Sequence, residues 1–248
     1  GSTPPATVSS GTQVYFGTGT KVTVPKLANG TTYSFRVWAR DSAQHFSTPA
    51  TVTLVGTATT IASSTTAVTY GGSVSLSSKV TRSGTPIAGV PVQLLARKAG
   101  TSNWVLVATR TTSSTGIVSV AHKPTASLDY LWVYRGSSTL MGSPSPARRV
   151  GVRMAITSNL SRTSVPLGGT FALSGSVAPS HAGQTIYLER YVGSGRWTTV
   201  TTRRLSTSST YSFSVKPTFR ATQTYRASVK DDGDHLMSYG PSRVIKVT

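Results

Sequence analysis

Cysteine, acidic residues and long apolar runs are absent or scarce in this chain of 248 residues. With no cysteine, disulfide bridges and thiolate metal sites are excluded. No apolar run approaches the ~18 residues that cross a bilayer as a helix, so no membrane span is predicted. Six acidic residues stand against 25 lysines and arginines, which gives a formal net charge of +19. A charge of this sign and size serves solubility, and it can also attract an anionic polymer.

The few acids and histidines also argue against catalysis. Glycoside hydrolysis needs two carboxylates in one cleft, and the main acidic cluster, "DDGDH" at 231–235, has the composition of a turn. A calcium loop would need a closing glutamate, which this stretch lacks. No nucleophile elbow or phosphate-binding glycine loop occurs. We predict no enzyme and no metal site, because the spacing expected of metal ligands is not found among His45, His122, His181 and His235.

The chain is instead rich in serine, threonine, valine, glycine and tyrosine, which favours strands over helices. An internal repeat shows how it is organised. "YGGSVSLS" (70–77) is matched by "LGGTFALS" (167–174), and "VSVAHKPT" (118–125) is matched by "YSFSVKPT" (211–218). Because the other matching stretches follow in the same order, the chain contains two copies of one domain.

Within each copy, apolar and polar residues alternate, which is the period of a strand with one buried face. Turn residues separate these runs at short intervals, and this pattern predicts sandwiches of about seven strands. We therefore predict an all-β chain of tandem immunoglobulin-like or fibronectin-like β-sandwiches arranged as an elongated rod. In the first copy, the residues expected to face the core are Val74, Leu76, Val92, Leu94, Val105, Val107, Val118, Val120, Tyr130, Trp132 and Tyr134.

The two copies, residues 58–152 and 153–248, resemble the bacterial immunoglobulin-like modules found in tandem in exported proteins of high-GC Gram-positive bacteria. The resemblance rests on a "GG" before strand B, a "GxxxWxxV" pattern around Trp104 and Trp197, and "KPT" at Lys123 and Lys216. It implies an extracellular or cell-surface location. It also implies a role as a spacer, a surface-layer or adhesin segment, or an accessory domain of a secreted hydrolase.

Residues 1–57 do not match the repeat and resemble the second half of a fibronectin type III domain. Tyr33 stands where that family has its tyrosine-corner residue, after the turn "ANGT" (28–31). The stretch "GTQVYFGTGTKVTV" (11–24) would form the two preceding strands. Strands A to C of the family are missing, which would leave an apolar face uncovered. Another chain that completes this module is therefore a predicted partner.

Two sets of side chains are candidates for binding. Trp197, Tyr191 and Arg196, with Trp104 at the equal position of the first copy, would offer a stacking platform for a sugar ring; the alternative is that the tryptophans are packing anchors. An anionic cell-wall polymer or polysaccharide would bind Arg148, Arg149, Arg153, Arg203 and Arg204. The alternative for these arginines is solubility and protection of sheet edges. No nucleic-acid-binding signature is present, so nucleic acid is not a predicted partner.

The sequence thus predicts a non-catalytic exported segment that acts as a stalk or as a cell-surface interaction array with a cationic surface. A carbohydrate-binding accessory module of a secreted hydrolase is one alternative. A self-assembling extracellular fibre subunit, whose first module another chain completes, is the other. None of these functions requires a cofactor.

Overall fold

The computed structural model describes residues 3–248, and within that range it contains strands, turns and loops without any helix. The all-β class predicted from the sequence is confirmed. It follows that no helix of the described residues is long and apolar enough to cross a membrane.

The segment before the first repeat is mostly irregular. Its two strands within residues 3–56 are β1 (Tyr33–Val37) and β2 (Ala50–Leu54), which pair antiparallel. The hydroxyl of Tyr33 accepts a hydrogen bond from the backbone N–H of Ala28 at 3.0 Å. A tyrosine-corner residue makes a contact of this kind with the backbone a few residues upstream. The assignment to half of a fibronectin type III domain stays a prediction.

The two strands predicted within residues 11–24 do not form, so that prediction is wrong. A strand needs a neighbouring strand to satisfy its backbone groups, and no strand of the described residues pairs with this stretch. Phe16 is 74% exposed as a result. Val37 and Val52, on β1 and β2, are also exposed, so an uncovered apolar surface is present.

The first repeat is a sandwich of two sheets. Its strands are β3 (Thr57–Thr59), β4 (Ala62–Ser63), β5 (Ala67–Thr69), β6 (Val74–Arg82), β7 (Thr85–Pro86), β8 (Pro91–Lys98), β9 (Val105–Thr111), β10 (Ile117–His122), β11 (Leu128–Tyr134), β12 (Ser143–Pro144) and β13 (Arg148–Arg153). One sheet has the order β10-β6-β3, with β4 and β7 also paired to β6. The other has the order β5-β13-β11-β8-β9, with β12 paired to β11.

The second repeat has the same plan. Its strands are β14 (Ala155–Ile156), β15 (Asn159–Leu160), β16 (Ser164–Val165), β17 (Phe171–Ala178), β18 (Thr185–Gly193), β19 (Arg196–Arg204), β20 (Thr210–Val215), β21 (Ala221–Val229), β22 (Ser238–Tyr239) and β23 (Arg243–Val247). One sheet contains β14, β17, β15 and β20, and the other has the order β16-β23-β21-β18-β19 with β22 paired to β21. In both repeats a short strand pairs in parallel with the last long one, β5 with β13 and β16 with β23.

Each repeat encloses its own hydrophobic core, to which alternate residues of both sheets contribute. The first core is made of Val74, Leu76, Val80, Val92, Leu94, Ala96, Val118, Val120, Tyr130, Trp132, Tyr134 and Val150. The second contains, among others, Phe171, Leu173, Ile186, Leu188, Tyr211, Phe213, Tyr225, Ala227 and Ile245. The core positions read from the alternation are therefore confirmed, apart from Val105 on β9.

On β9 the predicted alternation is confirmed only in part. Val107 is half-buried and packs against the first core, whereas Val105 is 65% exposed. β9 is an edge strand, and its register against β8 shifts between Leu94 and Leu95. Such a bulge places two residues of one strand opposite one of the other, so a strict period of two does not continue across it.

Candidate functional site

The two repeats meet where one strand runs almost directly into the next. β13 ends at Arg153 and β14 begins at Ala155, with the buried side chain of Met154 between them. The loop that joins β21 to β22, residues 230–237, folds back onto this strand and is called docking loop 2 below. Its Leu236 donates a backbone hydrogen bond to the carbonyl of Val152 at 2.8 Å.

Docking loop 2 makes further contacts with the first repeat. The carbonyl of Asp234 accepts a hydrogen bond from the N–H of Ser127 at 2.7 Å. The carboxylate of Asp234 lies 2.8 Å from Nζ of Lys98. Gly151 of β13 leaves room for the Leu236 side chain, because a Cβ atom at Gly151 would overlap it. Backbone, charged and apolar contacts therefore all cross this junction.

The junction before the first repeat has the same construction. Residues 135–142, between β11 and β12, form docking loop 1. In it the carbonyl of Thr139 accepts a hydrogen bond from the N–H of Val55, and the N–H of Met141 donates to the carbonyl of Val55, both at 2.9 Å. Val55 forms a parallel bridge with Leu140, as Arg153 does with Leu236. The two junctions therefore share one docking contact.

The predicted aromatic patch lies where β18 turns into β19. Tyr191 and Trp197 are directly opposite each other on these strands, and their ring centroids are 5.4 Å apart with planes inclined by 59°. Tyr191 is 43% exposed, and Arg196 is also exposed at the start of β19. The structure thus brings these three predicted residues together at one hairpin end.

The indole of Trp197 is partly covered. The guanidinium carbon of Arg226 lies 4.0 Å from the centre of the Trp197 ring and 3.9 Å from that of Tyr239. Nε of Arg226 donates to the carboxylate of Glu189 at 2.7 Å, which holds the guanidinium in place. Trp197 is therefore one layer of a stack on the outer face of the sheet. Its use as a sugar platform stays a prediction.

Trp104 has a related environment in the first repeat. The guanidinium carbon of Arg97 lies 4.6 Å from the centre of its ring, and Nε of Arg97 contacts the carboxylate of Asp129 at 3.4 Å. Neither Trp104 nor Trp197 belongs to the two hydrophobic cores. Both tryptophans are instead stacked against an arginine that is paired with an acid.

The first predicted arginine group lies on β13. Arg148, Arg149 and Arg153 are all exposed. Arg149 donates from Nε to the carboxylate of Asp129 at 2.8 Å, and its hydrogen bond and charge, with those of Arg97, lower the pKa of Asp129 although burial raises it. Arg149 is therefore already paired with an anion of this chain.

The second arginine group lies on the edge strand β19 of the other repeat. Arg203 and Arg204 are exposed, and their guanidinium groups donate to the carbonyls of Ser212 and Gly183 respectively. The two arginine groups thus belong to different repeats. Binding of an anionic polymer by either group stays a prediction.

A cluster of three side chains, to which the sequence analysis assigned no role, forms beside the second junction. His181 extends from the loop between β17 and β18, and Asp232 and His235 lie on docking loop 2. Nε2 of His181 is 2.9 Å from Oδ2 of Asp232 and 3.3 Å from Nδ1 of His235. The histidine side chains are 10% and 7% exposed and that of Asp232 is 23% exposed.

Backbone groups hold each member of this cluster. Nδ1 of His181 bonds the carbonyl of Pro179 at 2.7 Å, and Nε2 of His235 bonds the carbonyl of Thr125 in the first repeat at 2.9 Å. Burial raises the pKa of Asp232, but the backbone N–H groups that donate to its carboxylate and the charges of the two histidines bring the pKa below its ordinary value. Asp232 is therefore a carboxylate at neutral pH.

Sequence reasoning missed this cluster because it looked for metal ligands close together in the chain. His181 and Asp232 are 51 positions apart and lie on different loops. Loops gather at the two ends of a sandwich, so the signal to look for was a histidine in one loop and a His/Asp pair in another loop of the same repeat. The signal for the docking contact was the "LM" dipeptide that the copies share at 140–141 and 236–237.

No protein-family model and no curated protein matches the chain. Among solved structures, the D0-D1 domain of intimin has 14% identity and a TM-score of 0.29 over 76% of this chain and 97% of that one. A tetra-tandem repeat from the extending region of a large adhesion protein has 18% identity and a TM-score of 0.37, over 88% and 57% respectively. A C-terminal 282-residue fragment of intimin, in complex with the intimin-binding domain of its translocated receptor, has 14% identity and a TM-score of 0.38, over 75% and 62%.

The chain thus spans less than two thirds of the second and third of these structures. At these identities and TM-scores, none of the likenesses assigns a function to it.

Proposed function

We propose that this chain is a non-catalytic extracellular stalk or adhesion-type segment. Its units, residues 1–57, 58–152 and 153–248, would form a semi-rigid rod. The observation that carries this proposal is the docking contact that occurs at both junctions. In each, a loop from the body of a repeat bonds the backbone of the strand that enters it, next to Val55 or Arg153.

The docking contact matters for stiffness because a short strand that connects two domains can still bend by itself. Interfaces between domains of one chain are commonly small, and relative motion is the default. Here a hydrogen-bonded bridge, the Lys98–Asp234 ion pair and the Leu236 contact lie beside the connecting strand. A second line of contact next to the first resists bending about the strand, which is what a spacer needs in order to hold a partner at a distance.

The proposed surface function is attachment to an anionic cell-wall polymer or polysaccharide. The formal net charge of +19 and the exposed arginines on β13 and β19 support it. Charge of one sign over a long surface attracts a polyanion without a shaped pocket.

The proposed stiffness is tested by distances between spin labels. Because the chain has no cysteine, Ser114→Cys and Ser208→Cys, both at exposed turn positions, would carry the only labels, one on each repeat. Pulsed electron resonance should give a narrow distance distribution. Adding Asp234→Ala and Leu236→Ala removes the ion pair and the apolar contact, and the distribution should broaden.

The matched control is Asp231→Ala with Met237→Ala, which changes two exposed residues of the same loop and should leave the distribution narrow. A distribution in the unaltered background as broad as that of a flexible linker would contradict the proposal. So would equal broadening by both pairs of substitutions.

A further inference from the structure

The His181–Asp232–His235 cluster brings three side-chain atoms that can each coordinate a cation to within 4.8 Å of one another. A backbone carbonyl only accepts, so Nδ1 of His181 must donate to Pro179 and Nε2 of His235 must donate to Thr125. In the neutral rings this leaves lone pairs on Nε2 of His181 and Nδ1 of His235. These two atoms face each other at 3.3 Å, and the carboxylate of Asp232 adds a third acceptor.

When neither ring carries an additional proton, the lone pairs of the two facing nitrogens repel each other, and a cation between them removes the repulsion. A metal ion bound there would displace any proton that Nε2 of His181 shares with the carboxylate of Asp232. We propose that His181, Asp232 and His235 bind one divalent transition-metal ion of the zinc class at the junction between the two repeats. The ligand atoms would be Nε2 of His181, Nδ1 of His235 and a carboxylate oxygen of Asp232, which all lie within 4.8 Å of one another.

The geometry and the donor set agree with that class of ion. Two nitrogen ligands at about 2.0–2.1 Å from a tetrahedral zinc ion are about 3.3 Å apart, and the nitrogens of His181 and His235 have this separation. Two imidazoles and one carboxylate suit zinc and its neighbours, whereas calcium and magnesium prefer oxygen ligands. The fourth position is left to water.

The second contact of each histidine is also typical of a metal site. A metal-bound imidazole usually donates its other N–H to a carbonyl or carboxylate, which fixes the ring and its tautomer. Pro179 and Thr125 provide these carbonyls. The N–H groups of Asp234 and His235 fix the carboxylate of Asp232 through Oδ1 at 3.0 and 2.7 Å.

Binding of an ion would affect the junction, because Nε2 of His235 is hydrogen-bonded to the carbonyl of Thr125, which belongs to the first repeat. An ion that joins His181 to docking loop 2 would fix that loop in the position where it contacts Thr125, Ser127 and Lys98. This mechanical consequence rests on the proposed stalk function, whereas metal binding does not. Docking loop 1 contains no histidine or acid, so only the second junction would respond.

Metal binding is tested on the whole chain, without any histidine tag, by titration with Zn²⁺ in a calorimeter and with Co²⁺ followed by its visible absorption. We expect one ion per chain. His181→Gln and His235→Gln each remove a ligand and should weaken zinc binding at least ~100-fold. This loss is larger than the ~10–100-fold loss that follows when only the hydrogen-bond partner of a ligand is changed. Asp232→Asn should weaken it too, and this variant keeps the oxygen that accepts the loop N–H groups.

The matched control is His45→Gln, which removes an exposed histidine next to Asp41 and should bind zinc like the unaltered chain. Zn²⁺ should also raise the midpoint of thermal unfolding of the unaltered chain and of His45→Gln, by mass action, and should raise that of Asp232→Asn less at the same zinc concentration. Absence of stoichiometric binding, or equal binding by Asp232→Asn and the unaltered chain, would overturn the site.

The role at the junction has a separate readout. With labels at positions 114 and 208, Zn²⁺ should narrow the distance distribution, and it should not do so in Asp232→Asn. If zinc binds but the distribution does not change, the metal site stands and its mechanical role is wrong. If the distribution is broad with and without zinc, the stalk proposal fails while the binding result remains.

Discussion

At the scale of single residues, His122 shows how the two copies have diverged. The second repeat has Val215 at the equal position, where its side chain is buried. In the first repeat, Nδ1 of His122 lies 2.8 Å from the hydroxyl of the fully buried Tyr130. Burial lowers the pKa of His122, so the folded state favours the neutral ring.

This shift has a sign that can be tested. The unfolded chain, in which the pKa is about 6.5, binds a proton more readily than the folded one. The stability that the pKa difference of His122 contributes is therefore fully present above about pH 6.5. It is lost as the pH falls from there towards the lowered pKa of the folded state. We expect the free energy of unfolding to fall between about pH 7.5 and about pH 5, and His122→Val should reduce the slope.

Denaturant titrations at several pH values measure this slope. The absolute stability of His122→Val should also fall, because the Tyr130 hydroxyl loses its partner, so only the slopes are compared. His45→Val serves as the control, since His45 is exposed. Equal slopes for His122→Val and the unaltered chain would show that His122 titrates alike in both states.

At the scale of elements, β19 shows what an edge strand requires. It borders the sheet β16-β23-β21-β18-β19, and nearly all of its residues are exposed. Arginines at Arg196, Arg203 and Arg204 and an irregular register against β18 discourage pairing with another chain. Trp197 is the half-buried exception, and its stack with Arg226 fixes the start of the strand.

This position predicts the size of one mutational effect. Trp197→Ala removes a cation–π contact and an aromatic contact, so the second repeat should lose about 1–2 kcal/mol of stability. A core tryptophan would cost about 3 kcal/mol or more. Denaturant unfolding of Trp197→Ala, Arg226→Ala and the double variant gives the coupling between the two residues. Additive effects, or a loss as large as that of a core residue, would contradict this account of the stack.

At the scale of the whole molecule, the dominant property is a charge that the chain does not neutralise. Ion pairs with lysine or arginine among residues 3–248 involve three of the six acids, Asp129, Glu189 and Asp234. In that range most of the 25 basic side chains therefore form no ion pair with an acid of this chain. The attraction between such a side chain and an anion reaches about 10 Å at 0.1 M salt and about 3 Å at 1 M salt.

The corresponding prediction concerns salt. The chain should be retained on a heparin column at low ionic strength and released by ~0.5 M salt, where screening leaves only a few ångström of range. Replacing Arg148, Arg153, Arg203 and Arg204 by Gln should lower the salt concentration of elution. Arg226→Gln is the control, because Arg226 is paired with Glu189. Retention that does not depend on salt would remove polyanion binding from the proposed function.

The sequence by itself determined the class of fold, the repeat and most of the core. Alternation with a period of two is a local property that a half-buried strand imposes on residues such as Val74 and Leu76. It failed at Val105, where the bulge opposite Leu94 and Leu95 depends on the neighbouring strand. It failed again in residues 11–24, because a strand needs a partner that the local sequence does not reveal.

Only the tertiary structure decided which loops meet. His181 and His235 come together, and Leu236 reaches the preceding repeat, because the sandwich brings distant loops to one end and the junction places that end against its neighbour. Backbone pairing and burial act between residues far apart in the chain. The spacing of residues along the sequence indicates which strands and loops they belong to. It does not indicate which of those loops meet in three dimensions.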